Sequence, residues 1–233
     1  MTITYHSDIV QGSEEWHAAR CGMLTASEMK LILTPTLKVA SNDKERAHLY
    51  ELLAQRVTRY VEPSYISNDM LRGKEDEIEA RALYDKLYAP VQDVGFVTND
   101  NWGFTLGYSP DGLVGSDGQI EAKSRCAKYQ AQTIIENLGA DKGTTIPIDY
   151  MMQCQTGLLV TERKWLDFIS YCGGMPMVVI RVFPILDVQT AIIAAAWEFE
   201  RRLAEKLAVY YQAVAAHKLP PTERRIEQEM YVG

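Results

Sequence analysis

The sequence predicts a mixed α/β fold, a mixed sheet flanked by helices, and three observations predict it. Residues 91–123 carry strand chemistry in short successive runs, "VQDVGFVT", "WGFTLGYS", "DGLVG" and "GQIEAKS". Segments with helical periodicity and recognisable caps lie before and after that meander. Two further strands, "KWLDFISY" and "MVVIRVF", follow the second group of helices and precede one long amphipathic helix. The order of helices, strands, helices, strands and helix is that of a sheet covered on its faces by helices.

The elements follow in chain order. "SEEWHAARCG" offers Ser13 as an N-cap and Gly22 as a C-terminal stop, and "TASEMKLIL" opens a second helix with Thr25 and Glu28 at capping-box spacing. Residues 35–41 break the pattern; helices are then expected over 43–61 and 68–88. In the meander, Asp117-Gly118 is expected to form a tight two-residue hairpin turn. Helices follow over 126–138 and 149–160, and the longest over 187–218, about 45 Å at 1.5 Å per residue. On that last helix Ile192, Ala196, Phe199, Leu203, Leu207, Tyr210 and Val214 recur at spacings of three and four and form one apolar face. Packing on the parent domain is the expected use of that face, with a subunit contact as the alternative. "LPPTERRIEQEMYVG" starts with two prolines and is expected to be an extended tail.

At 233 residues, 47% hydrophobic and 24% charged, the chain has the composition of a globular protein and no internal linker or repeat, so one domain is expected. A net charge of −7 argues against a protein that coats nucleic acid non-specifically, though not against a local basic groove. "MTITYHSDIVQG" has neither a basic nor an apolar leader and no long apolar run follows, which leads to the expectation of a cytoplasmic protein outside the membrane. Cys21, Cys126, Cys154 and Cys172 include no C-x-x-C pair, which disfavours a zinc ribbon or iron–sulfur cluster. His6, His17, His48 and His217 have no ligand-spaced neighbours.

The chemistry concentrates in "SPDGLVGSDGQIEAKSR". With a two-residue turn at Asp117-Gly118, Glu121 pairs across from Val114, and Gln119, Glu121 and Lys123 share one strand face. In that register Asp111 falls on the opposite face, so its convergence with Glu121 requires a bulge or break at Pro110-Asp111-Gly112. Two carboxylates and an ammonium would then meet, an inventory suited to Mg²⁺, which binds through one or two carboxylates, water and substrate phosphate. In "RGKEDEIEARALYDKLY" the apolar stripe is Ala80, Leu83, Tyr84, Leu87 and Tyr88, which sets Asp76 and Glu77 beside it and turns Glu75 and Glu79 away. Arg20 offers a planar fork for phosphate, and Ser27 sits in the first turn of the helix capped at Thr25, where free N–H groups favour an anion.

"S-P-D-G-L" followed by "E-A-K" resembles the Pro-Asp…Asp/Glu-x-Lys signature of a large nuclease superfamily, the PD-(D/E)xK enzymes. Three further stretches, "W-x-x-A-R-x-G-x-x-T-A-S-E" at 16–28, "R-G-K-E-D-E-I-E-A-R" at 72–81 and "Y-M-M-Q-C-Q" at 150–155, narrow the resemblance to the lambda exonuclease and YqaJ-like viral recombinase family. It spans about residues 13–183 and leaves the last helix and tail, 187–233, uncovered. The resemblance implies a restriction-endonuclease-like core and a Mg²⁺-dependent 5′-to-3′ exonuclease, with Mn²⁺ as a substitute and two ions per site, that shortens one strand of duplex DNA from a phosphorylated end and leaves a 3′ overhang for strand annealing. It implies Asp111, Glu121 and the carbonyl of Ala122 as metal ligands, with Glu77 in support, and Lys123 and Gln153 as catalytic groups. Arg20, Ser27 and Ser109 would hold the 5′-phosphate. Met70 would wedge open the duplex end, a place where core packing is the competing reading, and Arg125 and Lys128 would meet the DNA backbone. Relatives often carry Cys-Pro where this chain has Ser124-Arg125. A homotrimeric ring and a single-strand annealing protein as partner are likewise implied. The alternatives are an endonuclease of the same superfamily and a non-catalytic DNA-end-binding protein.

Overall fold

Residues 118–122 are buried one after another, as only a strand covered on both faces can be, and they place β7 (Gly118–Ser124) in the middle of a sheet. In the computed structural model, which describes residues 2–63, 67–138 and 145–224, that sheet has five strands. Its order is β3 (Val91–Gln92), β6 (Gly112–Val114), β7, β8 (Trp165–Tyr171) and β9 (Val178–Val182), with β7 and β8 parallel and the other pairs antiparallel. A second, four-stranded sheet runs β1 (Ile3–His6), β4 (Phe96–Asn99), β5 (Leu106–Tyr108) and β2 (Leu24–Thr25). The meander is therefore divided between two mixed sheets.

The helices are α1 (Glu14–Arg20), α2 (Met29–Ile32), α3 (Asp43–Thr58), α4 (Asn68–Leu87), α5 (Ala127–Asn137), α6 (Ile148–Thr161) and α7 (Leu186–His217). Alternation along β7 assigns its two faces to two of them. Ile120 and Ala122, with Ile169 of β8, pack on Ala80 and Tyr84 of α4. On the other face Leu166, Phe168, Ile180 and Val182 pack on Cys154 and Leu158 of α6. The largest apolar cluster joins α2, α3 and α7 to the smaller sheet through Met29, Leu52, Leu106, Ile192, Phe199 and Leu203. Ion pairs from Arg56 to Glu200 and from Arg202 to Glu45 fasten α7 to α3 across that core. The last helix thus packs on its own domain as far as Leu207, whereas Tyr210 is 39% exposed.

Three expectations require correction. The hairpin joining β6 to β7 pairs Val114 with Gly118, so the loop is the three residues 115–117, with Gly115 taking the left-handed conformation at φ 53°. The helix expected from Thr25 is a 3-10 turn, Ala26–Glu28, followed by only four α-helical residues. The capping box is present, but so short a helix has no macrodipole to offer an anion. At the end of α4, Leu87 and the C-cap Tyr88 are 61% and 56% exposed, so the apolar stripe is buried only at Ala80 and Tyr84 and half-buried at Leu83. Residues 225–233 of the tail lie outside the described residues.

Candidate active site

The corrected register places Asp111 beside Glu121 with no bulge. Gly112 lies opposite Ile120, so the residue before Gly112 meets the residue after Ile120 across the strands. Moving the pairing by an odd number of residues changes which face each side chain occupies, which is why the longer loop matters. Asp111 stands just ahead of β6, and its Oδ2 accepts the Ala122 N–H at 2.6 Å, replacing the ladder bond that β6 no longer supplies. A strand residue sends its N–H and C=O to the same edge, so the Ala122 carbonyl faces that side as well.

Glu121, 1% exposed, is held from three directions. Tyr108 at the end of β5 donates its hydroxyl at 2.7 Å, Gln153 of α6 donates its amide at 2.5 Å, and Lys123 reaches it with its ammonium. From the opposite helix, Glu77 shares a hydrogen bond with Asp111. Burial, then the Glu121 and Glu77 carboxylates, push Asp111 far above the usual carboxylate range, and burial raises Glu77 too. Burial works against the Lys123 ammonium, but Glu121 and Asp111 outweigh it and hold its pKa above that of an ordinary lysine. Three carboxyl groups thus crowd around one ammonium at the bottom of a pocket. Periodicity left Asp76 and Glu77 as alternatives; Glu77 faces the carboxylates, while Asp76 accepts a hydrogen bond from the Ser124 hydroxyl.

The residues fit a hard divalent cation. Among the described residues no three His, Cys, Asp or Glu side chains are arranged to enclose an ion by themselves. The available donors are two facing carboxylates, a backbone oxygen and an open side for water and substrate, the set Mg²⁺ uses. The repulsion that raises Asp111 is also what a cation between the carboxylates relieves.

Next to the carboxylates lies a second polar group. Arg20, at the end of α1, donates to Ser109 Oγ at 3.4 Å and to Thr25 Oγ1 at 3.2 Å, and among the described residues no carboxylate pairs with it. Burial depresses its pKa, with the Glu28 carboxylate acting in the opposite direction. Ser27 Oγ lies 3.2 Å from Thr25 Oγ1, which itself donates to Glu28 at 2.8 Å. Trp16 was not foreseen. Its indole N–H donates to Ser109 Oγ at 2.8 Å and its ring lies under the Arg20 guanidinium at 4.2 Å. The signal available was the spacing of Trp16 and Arg20, one helical turn apart on α1. Tyr108 was also missed, since its contact with Glu121 crosses between the two sheets. Both groups line one pocket of about 170 Å³, which brings Arg20, Ser27 and Ser109 together with Asp111, Glu121 and Lys123.

The remaining residues lie around this pocket. Met70, near the start of α4, is 47% exposed and not part of the core. Arg125 lies just past β7 and lines a different cavity, and Lys128 stands over the ring of Tyr129 at 4.7 Å. No helix of the described residues is long and apolar enough to cross a membrane.

Comparison with known proteins bears on the family and the fold. The family model of the YqaJ-like viral recombinase domain matches residues 15–164. Among solved structures, an alkaline exonuclease from Laribacter hongkongensis is 30% identical, with a TM-score of 0.68 over 89% of this chain and 100% of that one. Its complex with dAMP gives a TM-score of 0.69 at the same identity and coverage. A phage-related exonuclease from Haemophilus somnus, 12% identical, shares the fold at a TM-score of 0.52 over 79% of this chain and 96% of its own. No curated protein matches.

Proposed function

The chain belongs to the YqaJ-like viral recombinase family and is a nuclease, and we propose that it is a Mg²⁺-dependent 5′-to-3′ exonuclease acting on linear duplex DNA from a 5′-phosphorylated end. The observation that carries this reading is the single pocket in which a phosphate-sized set of donors, Arg20, Ser27 and Ser109, adjoins Asp111, Glu121 and Lys123. The neighbouring alkaline exonuclease, with its dAMP complex, supports nucleotide-level chemistry on this fold.

In this proposal Arg20 and the two hydroxyls seat the terminal phosphate. Ser109 Oγ already accepts from Trp16 and Arg20, so its own proton is free to be donated to an anion. That seat fixes the register of the strand and brings the first phosphodiester to the carboxylates. Asp111, Glu121 and the Ala122 carbonyl would hold Mg²⁺ or Mn²⁺, as one or two ions, with Glu77 in support. The cation, when bound, supplies an activated water and neutralises charge on the scissile phosphate. Lys123, kept protonated by its neighbours, orients that water or the phosphate by hydrogen bonding. Gln153 fixes the Glu121 carboxylate by donating to Oε1, leaving its other oxygen to Tyr108. Met70, exposed at the start of α4, would part the terminal base pair, and each nucleotide removed would lengthen a 3′ overhang for an annealing partner. A homotrimeric ring would keep the strand threaded.

The test is hydrolysis of linear and covalently closed circular duplexes of one sequence, with Mg²⁺ and with EDTA. The proposal expects Mg²⁺-dependent mononucleotide release from linear DNA only. Cutting of the circle would transfer the same pocket to an endonuclease, and binding of ends without turnover would leave an end-binding protein.

A further inference from the structure

A second cavity, of about 960 Å³, opens where β7 ends, and its lining includes Arg72, Ser124, Arg125, Tyr129 and Tyr150. Arg125 continues the strand by one bond, its N–H donating to the Tyr171 carbonyl at 2.7 Å. Alternation therefore puts its side chain on the face that carries Glu121 and Lys123, one strand repeat of about 6.6 Å beyond Lys123. The facing helix supplies a partner at both ends of this run. Gln153 of α6 donates to Glu121, and one turn earlier Tyr150 accepts a hydrogen bond of 2.8 Å from Arg125 Nη1. The guanidinium lies 5.2 Å from the rings of both Tyr129 and Tyr150, which fixes its plane. Its Nε is buried and has no hydrogen-bond partner. The cavity also contains Glu136 and Asp149, so it is not basic throughout. Among the described residues its cationic lining is Arg125 and Arg72, the latter donating to Ser124 Oγ at 3.4 Å.

A guanidinium held in a fixed plane, one repeat past Lys123 on the same face, is suited to an anion in line with the scissile phosphate. We propose that Arg125, held between Tyr129 and Tyr150, is a downstream phosphate subsite that grips the phosphodiester following the scissile bond on the strand being shortened. The inference rests on the exonuclease reading above and extends it. The 5′-phosphate seat sets where the strand begins, and the Arg125 site draws the next phosphate taut beyond Lys123, so the scissile group is stretched between two anchors.

The test is single-turnover release of the first nucleotide from a 5′-phosphorylated duplex, with and without one methylphosphonate replacing that next phosphodiester. Neutralising this phosphate should slow the native protein about tenfold, the loss of one charge-assisted hydrogen bond. Arg125→Ala should be about tenfold slower on ordinary DNA and lose less than about twofold more on the modified strand, because the partner is already gone. Arg125→Gln, which retains a donor for Tyr150, serves if the alanine variant does not fold and should behave likewise. Arg125→Lys, still charged, should remain sensitive to the methylphosphonate. Penalties that multiply to about a hundredfold in Arg125→Ala or Arg125→Gln would overturn the subsite while leaving the exonuclease intact. No release by the native protein from any duplex would overturn the reading beneath it, and the subsite with it.

Discussion

Trp16 is expected to set how strongly the protein distinguishes phosphorylated from hydroxylated ends, although it is not itself placed against the phosphate. It acts in two ways. Its N–H, 2.8 Å from Ser109 Oγ, fixes which way that hydroxyl donates, and its ring supports the Arg20 guanidinium at 4.2 Å. A neutral hydrogen bond contributes about 0.5–1.5 kcal/mol and a cation–π contact on a partly desolvated arginine about 0.5–2 kcal/mol. Trp16→Phe keeps a ring and loses the donor, a loss of about 1 kcal/mol in transition-state binding, so kcat/KM on 5′-phosphorylated ends should fall about fivefold. Trp16→Ala loses both, about 2 kcal/mol, for a fall of about 30-fold. On 5′-hydroxyl ends neither variant should lose as much as about twofold, since the seat is then without its charged guest. The assay is single-turnover release from two duplexes that differ only in the terminal group. Equal losses on both would refute the reasoning, because they would show Trp16 acting on the fold or the hydrolytic centre instead of the seat.

Other outcomes follow from the packing. Phe199, fully buried on the inner face of α7, should lower stability by about 3–5 kcal/mol when replaced by Ala, whereas Trp197→Ala two residues away, 55% exposed, should stay within about 0.5 kcal/mol in urea unfolding. Gly95→Ala would place a Cβ 1.8 Å from the Ile9 carbonyl oxygen, a backbone atom that cannot swing aside. The variant should express poorly or melt several degrees lower, its loss exceeding the usual overpacking cost of about 1–3 kcal/mol. Asp111→Asn keeps an acceptor for the Ala122 N–H and removes one of the crowded charges, so its melting temperature without metal should stay within about 3 °C of the native protein. It should lose both turnover and the rise in melting temperature that Mg²⁺ gives the native protein.

What the sequence could and could not reveal divides along the range of the interaction. Caps are local chemistry, and Ser13 at α1 and the Thr25–Glu28 box stand where their spacing put them. The helical period separated Asp76 and Glu77 from Glu75 and Glu79, but choosing between the first two needed the sheet beneath α4. The hairpin failed for a definite reason. Asp117-Gly118 is the favoured pair for a two-residue turn, yet Gly115 also accepts a left-handed conformation, and Val114 pairs with Gly118 instead of Glu121, a shift of three residues. That choice decides whether Asp111 needs a bulge to reach Glu121. β1 passed unnoticed because its four residues gain their order from β4, more than 90 positions away. Tyr108 was hidden for the same reason, as was the contact of Trp16 with Ser109, 93 positions away; only the spacing of Trp16 to Arg20 was local. Ser109, Lys123 and Gln153 were singled out through their motifs, and the structure shows the neighbours of each.

The most direct measurement is nucleotide release from a linear duplex with one 5′ end phosphorylated and the other hydroxylated, in Mg²⁺, for the native protein and for Lys123→Ala. The account predicts loss that begins at the phosphorylated end and is absent in the variant. Loss from both ends at one rate, or a Lys123→Ala protein as active as the native one, would contradict it.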